Sequence, residues 1–168
     1  WASHVLALKT DNTLWAWGNS TVGQLGQSNV VAQSSPVQIP GTTWCKVATG
    51  CCFSLALKTD NTLWAWGLNT DGQLGQSSRV HRSSPVQIPG TTWCEVSAGL
   101  NTSYAIRTDN TLWTWGSASN GESGQSNRVS LSSPVQIPGT TWCKLPDGYQ
   151  HLSAFALRSD STLWGWGF

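Results

Sequence analysis

The segment LALKTDNTLWAWG, from Leu6 to Gly18, recurs at Leu55–Gly67. It returns as YAIRTDNTLWTWG at Tyr104–Gly116 and as FALRSDSTLWGWG at Phe155–Gly167. The steps between copies are 49, 49 and 51 residues, and a second block, SSPVQIPGTTWC, starts at Ser34, Ser83 and Ser132 on the same 49-residue step. A period near 50 residues, made of short strands and turns, predicts a β-propeller or a related array. The repeat decides the fold class. It also narrows the functional search, because positions placed by the period are mostly structural.

One repeat shows how. Phe53 to Lys58 reads as a strand, and Thr59-Asp60-Asn61-Thr62 as a tight two-residue hairpin turn in which Asp and Asn tolerate positive φ. Leu63 to Trp66 returns, and the period of two sends Trp64 and Trp66 to one face and Leu63 and Ala65 to the other. The bulky face of one blade is expected to pack on the small face of its neighbour. Gly67 ends the strand, and a long connection follows through GQLGQ (Gly72 to Gln76). Pro85 to Ile88 reads as the third strand and Trp93 to Val96 as the fourth, with Pro89-Gly90 between them. The expectation is an all-β propeller of four-stranded antiparallel blades, fourteen strands in about 3.5 repeats of 49 residues. Residues 1–168 form a single partial array, with repeats near 1–49, 50–98 and 99–149 and an incomplete one at 150–168. Eleven of the twelve Trp sit at three repeat positions and read as core.

Charged residues make up only 10% of the chain and the net charge is +1. Nucleic-acid binding, which draws its affinity from many Lys and Arg contacts to phosphate, is not expected. No basic run, membrane-spanning stretch or signal peptide is visible, so membrane insertion is not expected either. A surface of Ser, Thr, Asn and Gln suits neutral partners, protein surfaces and sugars included. Cys45, Cys94 and Cys143 share one repeat position and read as small buried hydrophobes, too far apart between blades for a disulfide. Cys51 and Cys52 occur in one repeat only, and a disulfide from Cys45 to one of them is left open. The largely unpaired thiols favour synthesis in a reducing compartment. No metal-ligand spacing recurs, so no zinc site or cofactor is expected. His4, His81 and His151 are isolated, and Asp11, Asp60, Asp109 and Asp160 are accounted for by turns. No catalytic constellation emerges.

The SLAL-type strand, the aspartate turn, LWAWG, GQLG and SSPVQI together resemble the regulator of chromosome condensation repeat family, over essentially the whole chain. The resemblance implies a β-propeller, commonly seven-bladed. Members include a nucleotide exchange factor for a small GTPase, a plant ultraviolet-B receptor and a bacterial β-lactamase inhibitor. They share no catalytic residues, only a rigid disc that presents loops to a macromolecule. This chain has no long insertion to act as an exchange-factor wedge, and its nine Lys plus Arg are few for the receptor's Arg-bounded Trp cluster. The family's His before the SLAL strand is matched by His4 and His151, against Phe53 and Thr102. Near-identity between repeats is closest in style to bacterial and phage-encoded members. Without an initiator Met and with half a repeat at the end, the chain reads as part of a longer, seven-bladed polypeptide. The alternative is an assembly in which other chains close the ring.

Comparison among the repeats locates the differences. The TDNT turn and IPGTTW barely change, whereas residues 19–22, 68–71 and 117–120 differ, as do 29–33, 78–82 and 127–131. The turns at 49–52, 98–101 and 147–150 differ too. In an up-and-down blade the constant connections share one face of the disc and the variable ones the other, and the variable face is expected to meet the partner. Arg79, His81, Arg82 and Arg128 gather most of its cationic side chains. Tyr149 and Trp1 are the non-periodic aromatics available to a sugar. The functional expectation is a non-catalytic scaffold, a structural or interaction component of a virion or cell-surface type of assembly, binding a protein or other copies of itself. The alternative is a protein- or glycan-binding module of lectin-like or inhibitor-like kind.

Overall fold

The computed structural model describes residues 4–146, the backbone of 149–150, and residues 153–168. Its strands are β1 (His4–Leu8), β2 (Leu14–Gly18), β3 (Gln33–Ile39), β4 (Trp44–Thr49), β5 (Phe53–Lys58), β6 (Leu63–Gly67), β7 (Arg82–Gln87) and β8 (Trp93–Gly99). They continue as β9 (Thr102–Arg107), β10 (Leu112–Gly116), β11 (Leu131–Ile137), β12 (Trp142–Lys144), β13 (Tyr149–Gln150), β14 (Ser153–Arg158) and β15 (Leu163–Gly167). Four sheets result: β1-β2-β3, β4-β5-β6-β7, β11-β10-β9-β8-β13 and β12-β14-β15. Every pairing is antiparallel except β13 with β8, where Tyr149 lies opposite Ala98. With that short strand the described residues hold fifteen strands, one more than the repeat predicts. It lies within the 51-residue step, after Leu145-Pro146, where β12 stops after three residues.

The Trp-Cys strand does not close its own repeat. It opens the next sheet, so β4 and β8 pair with β5 and β9. The Pro-Gly connection makes this transfer: Gly41, Gly90 and Gly139 hold φ of 110°, 107° and 114°. The following indole folds back over it, Trp93 Nε1 donating to Pro89 O at 3.3 Å. The strand is then tied to the preceding sheet, Trp44 N donating to Asn12 O and Trp93 N to Asn61 O at 3.1 Å each.

Adjacent sheets meet as the period of two predicts. Leu14, Ala16 and Ile39 of the first sheet pack on Trp44, Ala56 and Trp66 of the second. Leu63, Ala65 and Ile88 then pack on Trp93, Ala105 and Trp115. Trp44 stands edge-on to Trp64 and Trp66 at 6.3 and 6.1 Å. Burying an indole of about 200 Å² contributes up to about 5 kcal/mol. The outer Trp of each pair is only half buried, and Lys58 and Arg107 lie over Trp64 and Trp113 at 4.2 and 4.0 Å.

GQLGQ latches one sheet to the next. Gln24 O accepts from Trp66 Nε1 at 2.9 Å and Ser54 Oγ at 2.8 Å, and Gln73 O accepts from Trp115 Nε1 and Ser103 Oγ at 2.9 and 2.7 Å. Gly72 is required at this contact: its φ is +87°, and a Cβ would stand 2.5 Å from Ser132 Cα.

The aspartate turn is a three-residue loop rather than the expected two-residue one. Asn12 alone takes positive φ (62°), as do Asn61 and Asn110 (62° each) and Ser161 (66°). This is the type I turn followed by a left-handed residue. Asp11 Oδ1 accepts from Thr13 N and Oγ1 at 3.1 and 2.6 Å, and Thr13 Oγ1 accepts from Trp15 Nε1 at 3.0 Å.

Candidate functional site

Strand registers separate the two ends of each sheet. In the second sheet Thr49↔Ser54, Phe53↔Gly67 and Gly67↔Arg82 lie at one end, and Trp44↔Lys58, Leu57↔Leu63 and Trp64↔Gln87 at the other. The aspartate turn and IPGTT therefore emerge at one end, the variable connections at the opposite end. At the constant end the backbone carbonyl of each turn Asn accepts the bond from the next sheet, at Asn12, Asn61 and Asn110.

At the variable end, the β6–β7 loop is built around Asn69, which is fully buried. Its side chain donates to Ser78 O and Val80 O at 3.0 and 3.1 Å and accepts from Leu74 N at 3.0 Å. His81 Nδ1 accepts from Asn69 N at 3.0 Å, so this exposed imidazole also supports the loop. Arg79 donates to Thr70 O at 3.3 Å. Arg82 and Arg128 are exposed. Among the described residues the one ion pair is Lys46 with Glu95, on β4 and β8, so no cation of these loops is held by a carboxylate. Tyr149 pairs through its backbone, and its side chain lies outside the described residues, as do Trp1 and His151.

Sequence reasoning missed a second feature of these loops. Val31, Val80 and Val129 occupy one position on the 49-residue step and are 59%, 60% and 65% exposed; Val30 adds another 59%. Each is held rather than dangling. Val31 N and Val129 N donate to Asn29 Oδ1 and Asn127 Oδ1 at 2.9 Å, and Val80 is tied through its carbonyl to Asn69. The signal was legible: a Val on period inside segments that otherwise change. The count of differences hid it.

Two buried groups stand on β1 and under the third loop. His4, 6% exposed, shares a hydrogen bond with Ser54 Oγ at 3.0 Å, and burial lowers its pKa to about 4. It borders a cleft of about 270 Å³ with Val47, Val96 and Pro146. In the third loop Glu122 replaces Gln and accepts from Ser117 Oγ at 3.0 Å and Asn120 N at 2.6 Å, while its carbonyl takes the buried Tyr104 hydroxyl at 2.8 Å. Burial raises the Tyr104 pKa, and Glu122 adds to the rise. The turn aspartates are held below the usual carboxylate range, first by the Thr hydroxyl and then by its backbone N–H, as at Asp60 with Thr62. None of these forms a nucleophile–base pair.

All five thiols are free. Cys45 and Cys94 are half buried and donate to Leu57 O and Ile106 O at 3.4 Å, and Cys143 is exposed, so the buried-hydrophobe expectation fails. The Trp beside each Cys takes the buried face of the alternating strand, and the Cys takes the other.

Four sheets stacked face to face in chain order, joined by a staggered strand and latched by GQLG, define a partial β-propeller of tandem repeats. The model of the Regulator of chromosome condensation (RCC1) repeat matches residues 11–57 and 60–106, more than half of the chain, and a second model of that repeat matches 44–73 and 93–125. The chain belongs to the RCC1 repeat family. Among solved structures it is similar to human WBSCR16, with TM-score 0.84 and 20% identity over 99% of this chain and 45% of that one. It is likewise similar to yeast RCC1 (Prp20) bound to Kap60, with TM-score 0.82 and 21% identity over 99% and 42% of the two chains. Prp20p from Saccharomyces cerevisiae, studied with its binding to Gsp1p and histones, gives 0.77 and 21% over 89% and 40%. The chain spans less than half the length of these propellers. A comparison with the curated proteins found no match.

Proposed function

We propose that this chain is a non-catalytic scaffold that docks a protein partner on its variable end, through the β2–β3, β6–β7 and β10–β11 loops. The observation that carries this reading is the recurring exposed Val, at Val31, Val80 and Val129, in loops that also hold Arg79, Arg82 and Arg128. An apolar side chain kept in water at the same place in three successive blades has no packing role, and its rigid presentation suits a partner surface. A place within a larger assembly of virion or cell-surface type belongs to the same reading, supported by the low charge. The solved Prp20 structures, with Kap60 and with reported binding to Gsp1p and histones, support a protein-docking disc by analogy.

Affinity capture from the source cells tests it, with a triple Val31→Ser, Val80→Ser, Val129→Ser variant beside Arg82→Ala/Arg128→Ala. The captured protein is expected to drop at least tenfold with either variant, and to persist when Thr10, Thr59 and Thr108 at the constant end become Ala. Loss in the constant-end variant with retention in the other two overturns the assignment.

A glycan reading rests on a different observation, a cleft of about 220 Å³ between the first two sheets lined by Pro40, Trp44, Trp64 and Pro85. Glycan-array binding that falls on Trp64→Ala or Tyr149→Ala would favour it over the protein partner.

A further inference from the structure

The turn between β4 and β5 differs from its counterparts in carrying adjacent cysteines, Cys51 and Cys52, where the others have Leu100-Asn101 and Tyr149-Gln150. Their sulfurs stand 3.6 Å apart, and both residues are half buried at the variable end of the second sheet. The turn that holds them is fixed on each side. Gly50 N donates to Phe53 O at 3.0 Å, Cys51 N to Leu100 O of the neighbouring turn at 3.0 Å, and Leu68 N to Cys52 O at 2.9 Å. Gly50 is packed so closely that a Cβ there would meet the Phe53 ring at 1.9 Å. The two thiols are therefore presented as a pair by a backbone with little room to move.

We propose that Cys51 and Cys52 form a dithiol site for a soft, thiophilic ligand of the trivalent-arsenical class. The sulfur spacing fits this chemistry. A disulfide requires the sulfurs to close to about 2.05 Å. A linear sulfur–metal–sulfur arrangement with bonds of about 2.3 Å, the zinc–sulfur length, requires about 4.6 Å. Two such bonds bent to near 100° span about 3.5 Å, close to the spacing found, and a pyramidal trivalent centre has that bend. Zinc would need further ligands, and among the described residues no group of three or more His, Cys, Asp or Glu is gathered. Burial, followed by the Cys51 hydrogen bond, pushes the Cys52 thiol up to about 11. Condensation with an arsenoxide needs no oxidant: two As–S bonds form, the As=O oxygen leaves as water with the two thiol protons, and arsenic stays trivalent. Fixed geometry favours the chelate because little conformational freedom remains to be lost.

Phenylarsine oxide is the probe. The reduced chain is mixed with one equivalent in the presence of excess glutathione, which strips singly bound arsenic, and intact mass is read under native conditions. One adduct per chain is expected, absent from Cys51→Ser and from Cys52→Ser and retained in a Cys45→Ser/Cys94→Ser/Cys143→Ser variant. Titration of the unmodified chain in guanidinium chloride should show affinity lowered by about tenfold or more, the factor that equals 1.4 kcal/mol. An adduct that survives either single serine variant overturns the proposal. So does equal affinity in the folded and unfolded chain, which remains readable if a variant fails to fold.

Discussion

Gly72 and Gly121 occupy the same place in successive GQLG-type loops, yet the structure gives them different tolerances. Both hold positive φ, +87° and +81°. A Cβ on Gly72 would strike the Ser132 backbone at 2.5 Å, whereas on Gly121 the nearest atom is Gly167 Cα at 4.0 Å. Gly72→Ala is expected to destabilise by about 3 kcal/mol or more, and Gly121→Ala by the conformational cost alone, about 1–2 kcal/mol. Urea unfolding of the two variants checks the contrast, and equal losses would contradict the latch. His4 supplies a pH dependence of known sign. Its pKa falls from 6.5 to about 4 on folding, so the unfolded chain binds the extra proton between those values. Its contribution to stability is intact above pH 6.5 and is lost as pH falls toward 4, by up to about 3 kcal/mol. His4→Phe, which installs the residue of the equivalent position Phe53, should flatten that part of the stability–pH curve.

At the scale of the element, β10 and the loop after it carry a local conflict. Ser123 and Thr114 are fully buried where the other repeats place Leu25 and Leu74, and Ala16 and Ala65. Both hydroxyls are buried without a hydrogen-bond partner among the described residues. A buried unsatisfied polar group costs about 1–3 kcal/mol. Ser123→Leu combined with Thr114→Ala should therefore raise stability by about 2 kcal/mol, read as a higher urea midpoint with an unchanged slope. The turns make the same point in milder form. Ser161 sits at φ 66° where its three counterparts are Asn, and Ser161→Asn is expected to stabilise the β14–β15 hairpin by a few tenths of a kcal/mol. Local chemistry of this kind is readable before any fold is known. The two-residue turn expectation missed by one residue because the same Asp-Asn composition suits both loop lengths, and only the pairing of Leu8 with Leu14 distinguishes them.

For the whole molecule, the decisive fact is that each sheet offers a Trp face and a Leu/Ala face. Leu14, Leu63 and Leu112 are fully buried beneath the following sheet, while their counterpart Leu163 is 69% exposed and Phe155 beside it is 45% exposed. The 168-residue chain is accordingly expected to self-associate through this surface at micromolar concentration. Sedimentation should show the association, and Leu163→Lys should suppress it while leaving the β-sheet signal in place.

The repeat, its recurring strands, the places of its turns, the alternation of Trp with small residues and the separation of constant from variable loops were legible in the sequence. Each depends on local backbone preference or on a period of two, and those are properties of neighbours along the chain. Which sheet the Trp-Cys strand joins was not legible, because Pro-Gly turns the chain equally well within a sheet or between two. The candidate site divides in the same way. The cations Arg79, Arg82 and Arg128 stood out as loop residues, but that His81 and Asn69 act as loop supports follows only from distances across nine to twelve residues. The exposed state of Val31, Val80 and Val129 and the pairing of two thiols at 3.6 Å are likewise decided by tertiary structure. Solvent exposure and side-chain spacing depend on what lies across the fold, and a sequence records only what lies along it.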